Sequence, residues 1–168
     1  EQEAYLKAGN AEANDAFGTA VGISGDTIVV GAYGEDGGLS GGQPNPGSNS
    51  AINSGAAYVF VRQGNIWRQQ AYLKASNIGA QDLFGAAVAI SGETIVVGAP
   101  LEDSAGQGVN GAQDNEDANA SGAAYVFVRQ GDIWTQQAYL KASNAEAGDL
   151  FGSSAALAEN TVVVGAYR

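Results

Sequence analysis

The stretch FGAAVAISGETIVVGAP, residues 84–100, contains two short apolar runs separated by Ser91-Gly92-Glu93. Both runs are rich in Val, Ile and Ala, and neither keeps the i, i+3, i+4 spacing of a helix over a helical length. A short linker that contains glycine suits a tight hairpin, because glycine tolerates positive φ. The stretch therefore predicts two antiparallel strands, A at Phe84–Ile90 and B at Thr94–Ala99.

The pattern recurs along the chain at a spacing of 67 residues. The Phe-Gly pair at 84–85 is preceded by one at 17–18 and followed by one at 151–152. The segment AYLKA occurs at 4–8, 71–75 and 138–142 in the same register. A period of this length indicates a repeat architecture, and the 168 residues hold about two and a half units.

Two further strands complete each repeat. In the second copy, C is predicted at Ala123–Arg129 and D at Ile133–Ala142, joined by Gln130-Gly131-Asp132. Strands B and C are apolar on both faces, which indicates cover on both sides. An all-β propeller of four-stranded antiparallel blades fits this pattern. The main competitor, a parallel β-helix, usually has much shorter coils and lacks tight antiparallel hairpins.

The repeat also predicts the domain organisation. We expect a single array over residues 1–168, in which residues 1–8 form a trailing strand D and 143–168 a half blade. Blade 1 spans residues 9–75 and blade 2 spans 76–142. Closed propellers need about four to eight blades, so we expect the chain to associate end to end or to belong to a longer repeat chain.

The composition excludes several classes of function. The chain has no Cys, Met or His, which removes thiol catalysis, histidine acid–base chemistry and Cys/His zinc sites. Eighteen acidic against seven basic residues give a net charge of −11, which disfavours nucleic acid as a partner. Membrane insertion is not expected either, because no apolar run approaches the ~20 residues that span a bilayer.

The Phe84-Gly85 pair and the closing Gly98-Ala99-Pro100 resemble the FG-GAP repeat of integrin α-subunit propellers and many bacterial surface proteins. The resemblance implies a β-propeller and an extracellular or cell-surface location. Those repeats carry a calcium-binding Asp-x-Asp/Asn-x-Asp-Gly loop between the two markers. This chain has only short turns there, such as Ser24-Gly25-Asp26, and one carboxylate cannot supply six to eight oxygen ligands. No metal is therefore expected at the A–B turn.

Acidic residues are concentrated at one predicted face of the blades, which we call the loop face. It comprises the B–C loops at 34–55 and 101–122 and the D–A connections at 10–15, 77–82 and 144–149. These segments contain no Lys or Arg and twelve carboxylates: Glu12, Asp15, Glu35, Asp36, Asp82, Glu102, Asp103, Asp114, Glu116, Asp117, Glu146 and Asp149. Loops on a rigid scaffold are common binding sites.

Five of these carboxylates form a candidate cation site in the second B–C loop: Glu102, Asp103, Asp114, Glu116 and Asp117. Calcium would suit such oxygen ligands, but the matching stretch of the first loop has no acid and no fixed ligand spacing is visible. A solvated acidic loop is the favoured interpretation. The aspartates two residues before each Phe-Gly pair are expected to cap turns: Asp15, Asp82 and Asp149.

The remaining repeated residues are expected to be structural. The glycine of each Phe-Gly pair lets neighbouring blades approach, and five aromatic residues are predicted to lie in the core: Phe17, Phe84, Phe151, Trp67 and Trp134. Three lysines are placed in strand D at the outer edge, where lysine discourages strand addition: Lys7, Lys74 and Lys141.

The functional prediction is a non-enzymatic extracellular scaffold or adhesion module, with no catalytic residues and no cofactor. Repeated acids in repeated loops do not define one asymmetric pocket, and no nucleophile–base pair is visible. The expected partners are other copies of the chain, neighbouring repeats of a longer chain, or a surface protein or glycan. The alternative is a carbohydrate-binding or carbohydrate-active protein that uses the acidic B–C loops, since two carboxylates at a suitable separation can hydrolyse glycosides.

Overall fold

The computed structural model describes residues 2–40 and 43–167 of the chain. Residue 1 of the predicted trailing strand, residues 41 and 42 of the first B–C loop and residue 168 of the half blade lie outside the described part. The described part is all-β, with no helix and therefore none that could cross a membrane. Its twelve strands are β1 Val21–Ser24, β2 Thr27–Ala32, β3 Gly38–Ser40, β4 Gln43–Asn45, β5 Ala56–Gln63, β6 Ile66–Leu73, β7 Ala87–Ser91, β8 Thr94–Ala99, β9 Ala123–Gln130, β10 Ile133–Leu140, β11 Ser154–Ala158 and β12 Thr161–Gly165.

The strands form the blades of a partial β-propeller. Blade 1 is a four-stranded antiparallel sheet in the order β1-β2-β5-β6, and blade 2 repeats it as β7-β8-β9-β10. Strands β11 and β12 pair as the half blade, and β3 pairs with β4 as a small hairpin inside the first B–C loop. The predicted fold class and the order of strands A to D are confirmed.

Strands A and C of blade 2 each extend one residue further than predicted, to Ser91 and Gln130, and two other boundaries differ by more. Strand A of blade 2 begins at Ala87, not Phe84, because Phe84 forms a parallel bridge to Gly55 of blade 1. Strand D ends at Leu140, not Ala142, because the amide of Lys141 donates to the carbonyl oxygen of Gly108 in the B–C loop. Both residues pair outside the sheet of their own blade.

The predicted trailing strand at the start of the chain is not a strand. Residues 2–8 form no ladder, because no strand C of their own blade lies beside them in the described part. Their packing nevertheless follows the repeat. Leu6 and Ala8 lie against the apolar cluster of blade 1, as Leu73 and Ala75 lie against that of blade 2.

Each blade packs against the blade before it in the chain. We call the face that makes this contact, which includes one side of strand A, the front face of the blade. The opposite face is its rear face, and the front face of one blade packs onto the rear face of the preceding one. Val88 and Ile90 on β7 pack against the cluster that contains Val29 of blade 1. Ala155 and Leu157 on β11 pack in the same way against the rear of blade 2. The same interface is therefore built twice within the chain, and the apolar cores lie between blades.

Glycine allows the blades to approach closely near the inner strands. A Cβ atom on Gly31 would lie 2.0 Å from the carbonyl oxygen of Gly85 in the next blade. Gly85 has a φ of 94°, and its own Cβ would lie 2.2 Å from the carbonyl oxygen of Ala56. Neither position has room for a side chain, which confirms the predicted role of glycine beside the blade boundary.

The aromatic residues occupy the cores, as predicted, although to different degrees. Phe84 and Trp134 are buried in the cluster between blades 1 and 2. Phe17 and Trp67 are half-buried against the cluster on the front of blade 1, and Phe151 is half-buried against the rear of blade 2. Phe84 and Trp134 are buried more completely because blade 2 lies between two neighbouring blades.

Candidate functional site

The long loops and the connections between blades meet at the loop face. The D–A connection contacts the start of the B–C loop through backbone bonds, with Gly34 donating to the carbonyl oxygen of Asp15 and Leu101 to that of Asp82. The A–B turns lie at the opposite end of the strands, where Arg62 pairs with Asp26. The predicted separation of the two faces is therefore present.

The three repeated aspartates cap turns. The carboxylate of Asp15 accepts the amide of Glu12 at 2.6 Å, and that of Asp82 accepts the amide of Gly79 at 3.0 Å. Asp149 accepts the amide of Glu146 at 2.8 Å. The capping prediction is confirmed, and the bond in each case reaches back three residues along the chain.

Two further carboxylates hold the ends of the B–C loops together. Asp36 accepts the amide of Asn53 at 2.7 Å, and Asp103 accepts the amide of Ala120 at 2.6 Å. Each bond closes its long loop across seventeen positions. A carboxylate engaged in this way is part of the loop's structure, because it satisfies a backbone donor that would otherwise be unpaired.

Glu102 is the centre of a buried polar network in blade 2. Its side chain is only 2% exposed. Oε2 accepts Lys141 Nζ at 2.8 Å, while Oε1 accepts Asn77 Nδ2 at 2.9 Å and the Tyr139 hydroxyl at 3.1 Å. The Tyr125 hydroxyl donates to Asn77 Oδ1 at 2.7 Å. A buried charge is costly unless it is paired and hydrogen-bonded, and both conditions hold here.

Glu35 occupies the equivalent position in blade 1, but its contacts with the first tyrosine and with the lysine differ. Oε2 lies 3.0 Å from Asn10 Nδ2 and 2.9 Å from the Tyr58 hydroxyl, and Oε1 accepts the Tyr72 hydroxyl at 3.1 Å. Lys74 Nζ, however, donates to Ser54 Oγ at 2.6 Å and forms no ion pair with Glu35. Burial lowers the pKa of Lys74 to about 8.

The predicted outer-edge role of the lysines is wrong for Lys74 and Lys141. Both follow the end of strand D and are 5% exposed, because their side chains extend into the loop face toward buried acceptors. Lys7 is exposed, as an edge residue would be. The loop segments contain no basic residue, yet two lysines reach them from the adjoining strands.

Two carboxyl groups of this region have a raised pKa. Burial raises the pKa of Asp82 to about 7, helped by the negative charges of Glu102, Glu116 and Asp103. Partial desolvation, followed by the charges of Asp103 and Glu102, also raises the pKa of the exposed Glu116. Desolvation first, and the negative potential at the loop face of blade 2 second, therefore favour protonation of these groups.

The five candidate cation ligands have different surroundings. Glu102 and Asp103 have protein partners, as described above, whereas Asp114, Glu116 and Asp117 are exposed. Across the described ranges, no three His, Cys, Asp or Glu side chains are grouped so as to hold a metal ion. A calcium site built from all five carboxylates would require Glu102 to break its ion pair with Lys141. The cation site stays a prediction, to be tested by measurement.

In blades 1 and 2 the carboxylate of the A–B turn forms an ion pair. Glu93 pairs with Arg129, whose guanidinium also lies 5.6 Å from the centre of the Trp134 ring. The equivalent guanidinium of Arg62 lies 5.7 Å from the ring of Trp67 and pairs with Asp26 at 2.6 Å. In both blades the carboxylate of the A–B turn therefore stabilises the ends of strands C and D through its arginine partner.

Sequence reasoning missed the buried network, although its members recur at the same 67-residue spacing as the recognised markers. The pairs that share this spacing are Asn10 and Asn77, Glu35 and Glu102, Ser54 and Ser121, Tyr58 and Tyr125, Tyr72 and Tyr139, and Lys74 and Lys141. Polar residues repeated in register with apolar markers are the signal that indicates such a network.

The comparisons with known proteins agree with the geometry of the blades. A family model described as FG-GAP repeat matches residues 1–60, 67–127 and 134–168. No curated protein matches the sequence significantly. The three matched segments cover most of the chain and follow its structural period. The chain therefore belongs to the FG-GAP repeat family, and it is a repeat module of β-propeller blades.

Proposed function

We propose that the chain is a non-enzymatic extracellular scaffold or adhesion module that works within a larger stack of blades. The further blades come from neighbouring repeats of a longer chain or from other copies of this one, joined end to end as a ring or a fibre. The exposure of its outer blade faces is the observation that carries the proposal.

The front face of blade 1 has the residues of a blade interface but lacks the cover. Val21 and Ile23 on β1 are 67% and 66% exposed. Their equivalents in blade 2, Val88 and Ile90, are packed against blade 1. Apolar residues at these positions are covered by a neighbouring blade elsewhere in the chain, which supports a neighbour of the same kind here.

The rear face of the half blade supports the same proposal. Val163 is 60% exposed, whereas its equivalents Val29 and Val96 are fully buried beneath the next blade. In addition, among the described strands β12 pairs with β11 alone, while β2 and β8 are paired on both sides. An unpaired strand edge beside an apolar face favours addition of another strand.

The absence of an enzymatic role is supported by how the acidic groups are used. Glu35 and Glu102 are buried in hydrogen-bonded networks, and Asp36, Asp82 and Asp103 hold turns and loops. Groups that satisfy the fold's own donors are poorly placed for work on a substrate. The extracellular location rests on the family's surface proteins and on the net charge of −11.

The test is the particle mass of the chain in solution, measured by light scattering over a range of concentrations. We expect a discrete multiple of the monomer mass or a filament. Val163→Asp should reduce association, while Val109→Asp, which changes an equally exposed residue in a B–C loop, should not. A monodisperse monomer that melts cooperatively would overturn the proposal for the isolated chain.

The alternative role in carbohydrate binding or hydrolysis is supported by the exposed carboxylates of the second B–C loop, Asp114, Glu116 and Asp117. A glycan screen with a hydrolysis readout separates the two functions. The scaffold proposal predicts no hydrolysis. Turnover that is lost in Asp114→Asn or Glu116→Gln, with the melting temperature unchanged, would establish the enzyme instead.

A further inference from the structure

Three side chains of blade 2 are linked to the carboxamide of Asn77: Glu102 and Tyr125 contact it directly, and Lys141 contacts Glu102. Lys141 Nζ lies 2.8 Å from Glu102 Oε2, and the other oxygen of the same carboxylate lies 2.9 Å from Asn77 Nδ2. The Tyr125 hydroxyl donates to Asn77 Oδ1 at 2.7 Å. One carboxylate therefore touches both an amine and the amino group of a carboxamide, whose carbonyl oxygen accepts a hydroxyl proton.

These contacts match the parts that an acyl transfer needs. Lysine is a nucleophile once a base removes its proton, and Glu102 is the base in contact with it. Tyr125 is placed to stabilise the oxyanion that develops on Asn77 Oδ1 during attack on Cγ. The amino group of Asn77 lies beside Glu102 Oε1, where it can receive the proton taken from Lys141.

We propose that Lys141 and Asn77 form an intramolecular amide cross-link within blade 2. Lys141 Nζ bonds to Asn77 Cγ and the Cγ–Nδ2 bond breaks. Glu102 carries the two protons that the lysine ammonium gives up to the departing nitrogen, which leaves as ammonium, so the neutral mass falls by one ammonia. The atoms balance without an oxidant or a cofactor. The reaction occurs once per chain. It links the D–A connection before blade 2, which contains Asn77, to the end of strand D of the same blade, where Lys141 lies.

The surroundings favour this step over hydrolysis. Lys141 and Glu102 are buried, Tyr125 is fully buried and Asn77 is half-buried, so bulk water has little access to the amine and its base. Ser121 Oγ also accepts Lys141 Nζ at 2.5 Å, which holds the amine in place. Exclusion of water strengthens the interactions of Glu102 and Tyr125 with the reacting atoms.

Blade 1 provides a comparison within the same chain. Asn10, Glu35 and Tyr58 repeat the arrangement, with Asn10 Nδ2 bonded to Glu35 and the Tyr58 hydroxyl 2.9 Å from Asn10 Oδ1. Lys74, however, donates to Ser54 and Gly55, and the one lysine ion pair of the described residues joins Lys141 to Glu102. The proposal is therefore confined to blade 2, where the nucleophile contacts its base.

Mass spectrometry of the purified, denatured chain tests the cross-link. We expect the intact mass to fall short of the sequence mass by one ammonia. After proteolysis, a branched peptide should join the segment of Asn77 to that of Lys141. A full sequence mass for chain that was folded and aged at neutral pH would overturn the proposal.

Variants separate the cross-link from other losses of ammonia. Lys141→Arg and Glu102→Gln should restore the full mass, and Tyr125→Phe should slow the loss while keeping the aromatic packing. Lys7→Arg, a change at the exposed equivalent lysine, should leave the loss and the branched peptide intact. If Lys141→Arg still loses ammonia, the loss comes from succinimide formation and the proposal is overturned. This outcome can be read even for a variant that folds poorly, because the mass is measured on the denatured chain.

Discussion

Phe84 packs edge-on against Tyr125, with their ring centroids 5.3 Å apart. Both rings are fully buried in the cluster that joins blade 1 to blade 2. Aromatic pairs in this arrangement contribute beyond the area that they bury. The contact places the phenylalanine of the Phe-Gly marker at the centre of the interface between blades.

Phe84→Ala should therefore destabilise the chain by about 3–5 kcal/mol, because it leaves a large cavity between the blades. Chemical denaturation followed by tryptophan fluorescence measures the free energy of unfolding. The matched control is Phe17→Ala, at a half-buried ring 5.5 Å from Tyr58, for which we expect a smaller loss. Equal losses would argue against the interface as the source of stability.

Gly31→Ala should be among the most damaging small substitutions. The new methyl group would meet the carbonyl oxygen of Gly85 at 2.0 Å, so the two blades would have to separate. We expect a loss of more than about 2 kcal/mol in the free energy of unfolding. Gly9→Ala, at an exposed glycine whose nearest neighbour is a flexible side chain atom 3.4 Å away, should change stability little.

Asp82→Asn should stabilise the chain above neutral pH. Burial raises the folded-state pKa of Asp82 to about 7, from an ordinary value of 3.8, so the folded state favours the protonated carboxyl. The ionised group therefore opposes folding above pH 7, and this penalty disappears as the pH falls from 7 toward 4. We expect a gain of about 1–3 kcal/mol at pH 8 and a smaller gain at pH 5.

Denaturation of Asp82→Asn and the parent chain at both pH values measures this difference. Asp114→Asn, at an exposed loop position, removes the same charge and serves as the control. A gain at pH 5 as large as that at pH 8 would contradict the assigned pKa shift.

Calcium should contribute little to the stability of the folded chain. The A–B turn carboxylates pair with Arg62 and Arg129, and Glu102 of the second B–C loop pairs with Lys141. Thermal melts with calcium and with chelator should agree within a few degrees, because a ligand that binds only the folded state raises the midpoint. A larger shift that is abolished by Asp114→Asn with Glu116→Gln would locate a site in the second B–C loop.

The sequence predicts the blades well because their determinants are local and repeated. The hairpin at Ser91-Gly92-Glu93 and the capping role of Asp82 each depend on residues close in the chain. Strands B and C are apolar on both faces, which then indicates that neighbouring blades cover each blade on both sides. The residues at the contacts between blades could be identified because they recur at the same spacing in each repeat.

The parts that were missed depend on contacts between distant segments. Lys141 follows a strand whose pattern places it at an edge, and only the position of Glu102 explains its burial. The β3–β4 hairpin forms in the first B–C loop, although the equivalent loop of blade 2 has no such hairpin. The two loops have the same length but different sequences, so the period could not predict this difference.

The bridge between Gly55 and Phe84 has a consequence for cooperativity. Blade 1 provides acceptors for three amides of the connection into blade 2, at 2.8 Å for Gln81 and 3.1 Å for both Leu83 and Phe84. A blade cut from the array at its repeat boundary would lose these partners together with its apolar cover. The smallest unit that can satisfy its own backbone is therefore longer than one repeat, and melting should spread from blade to blade through nearest-neighbour coupling.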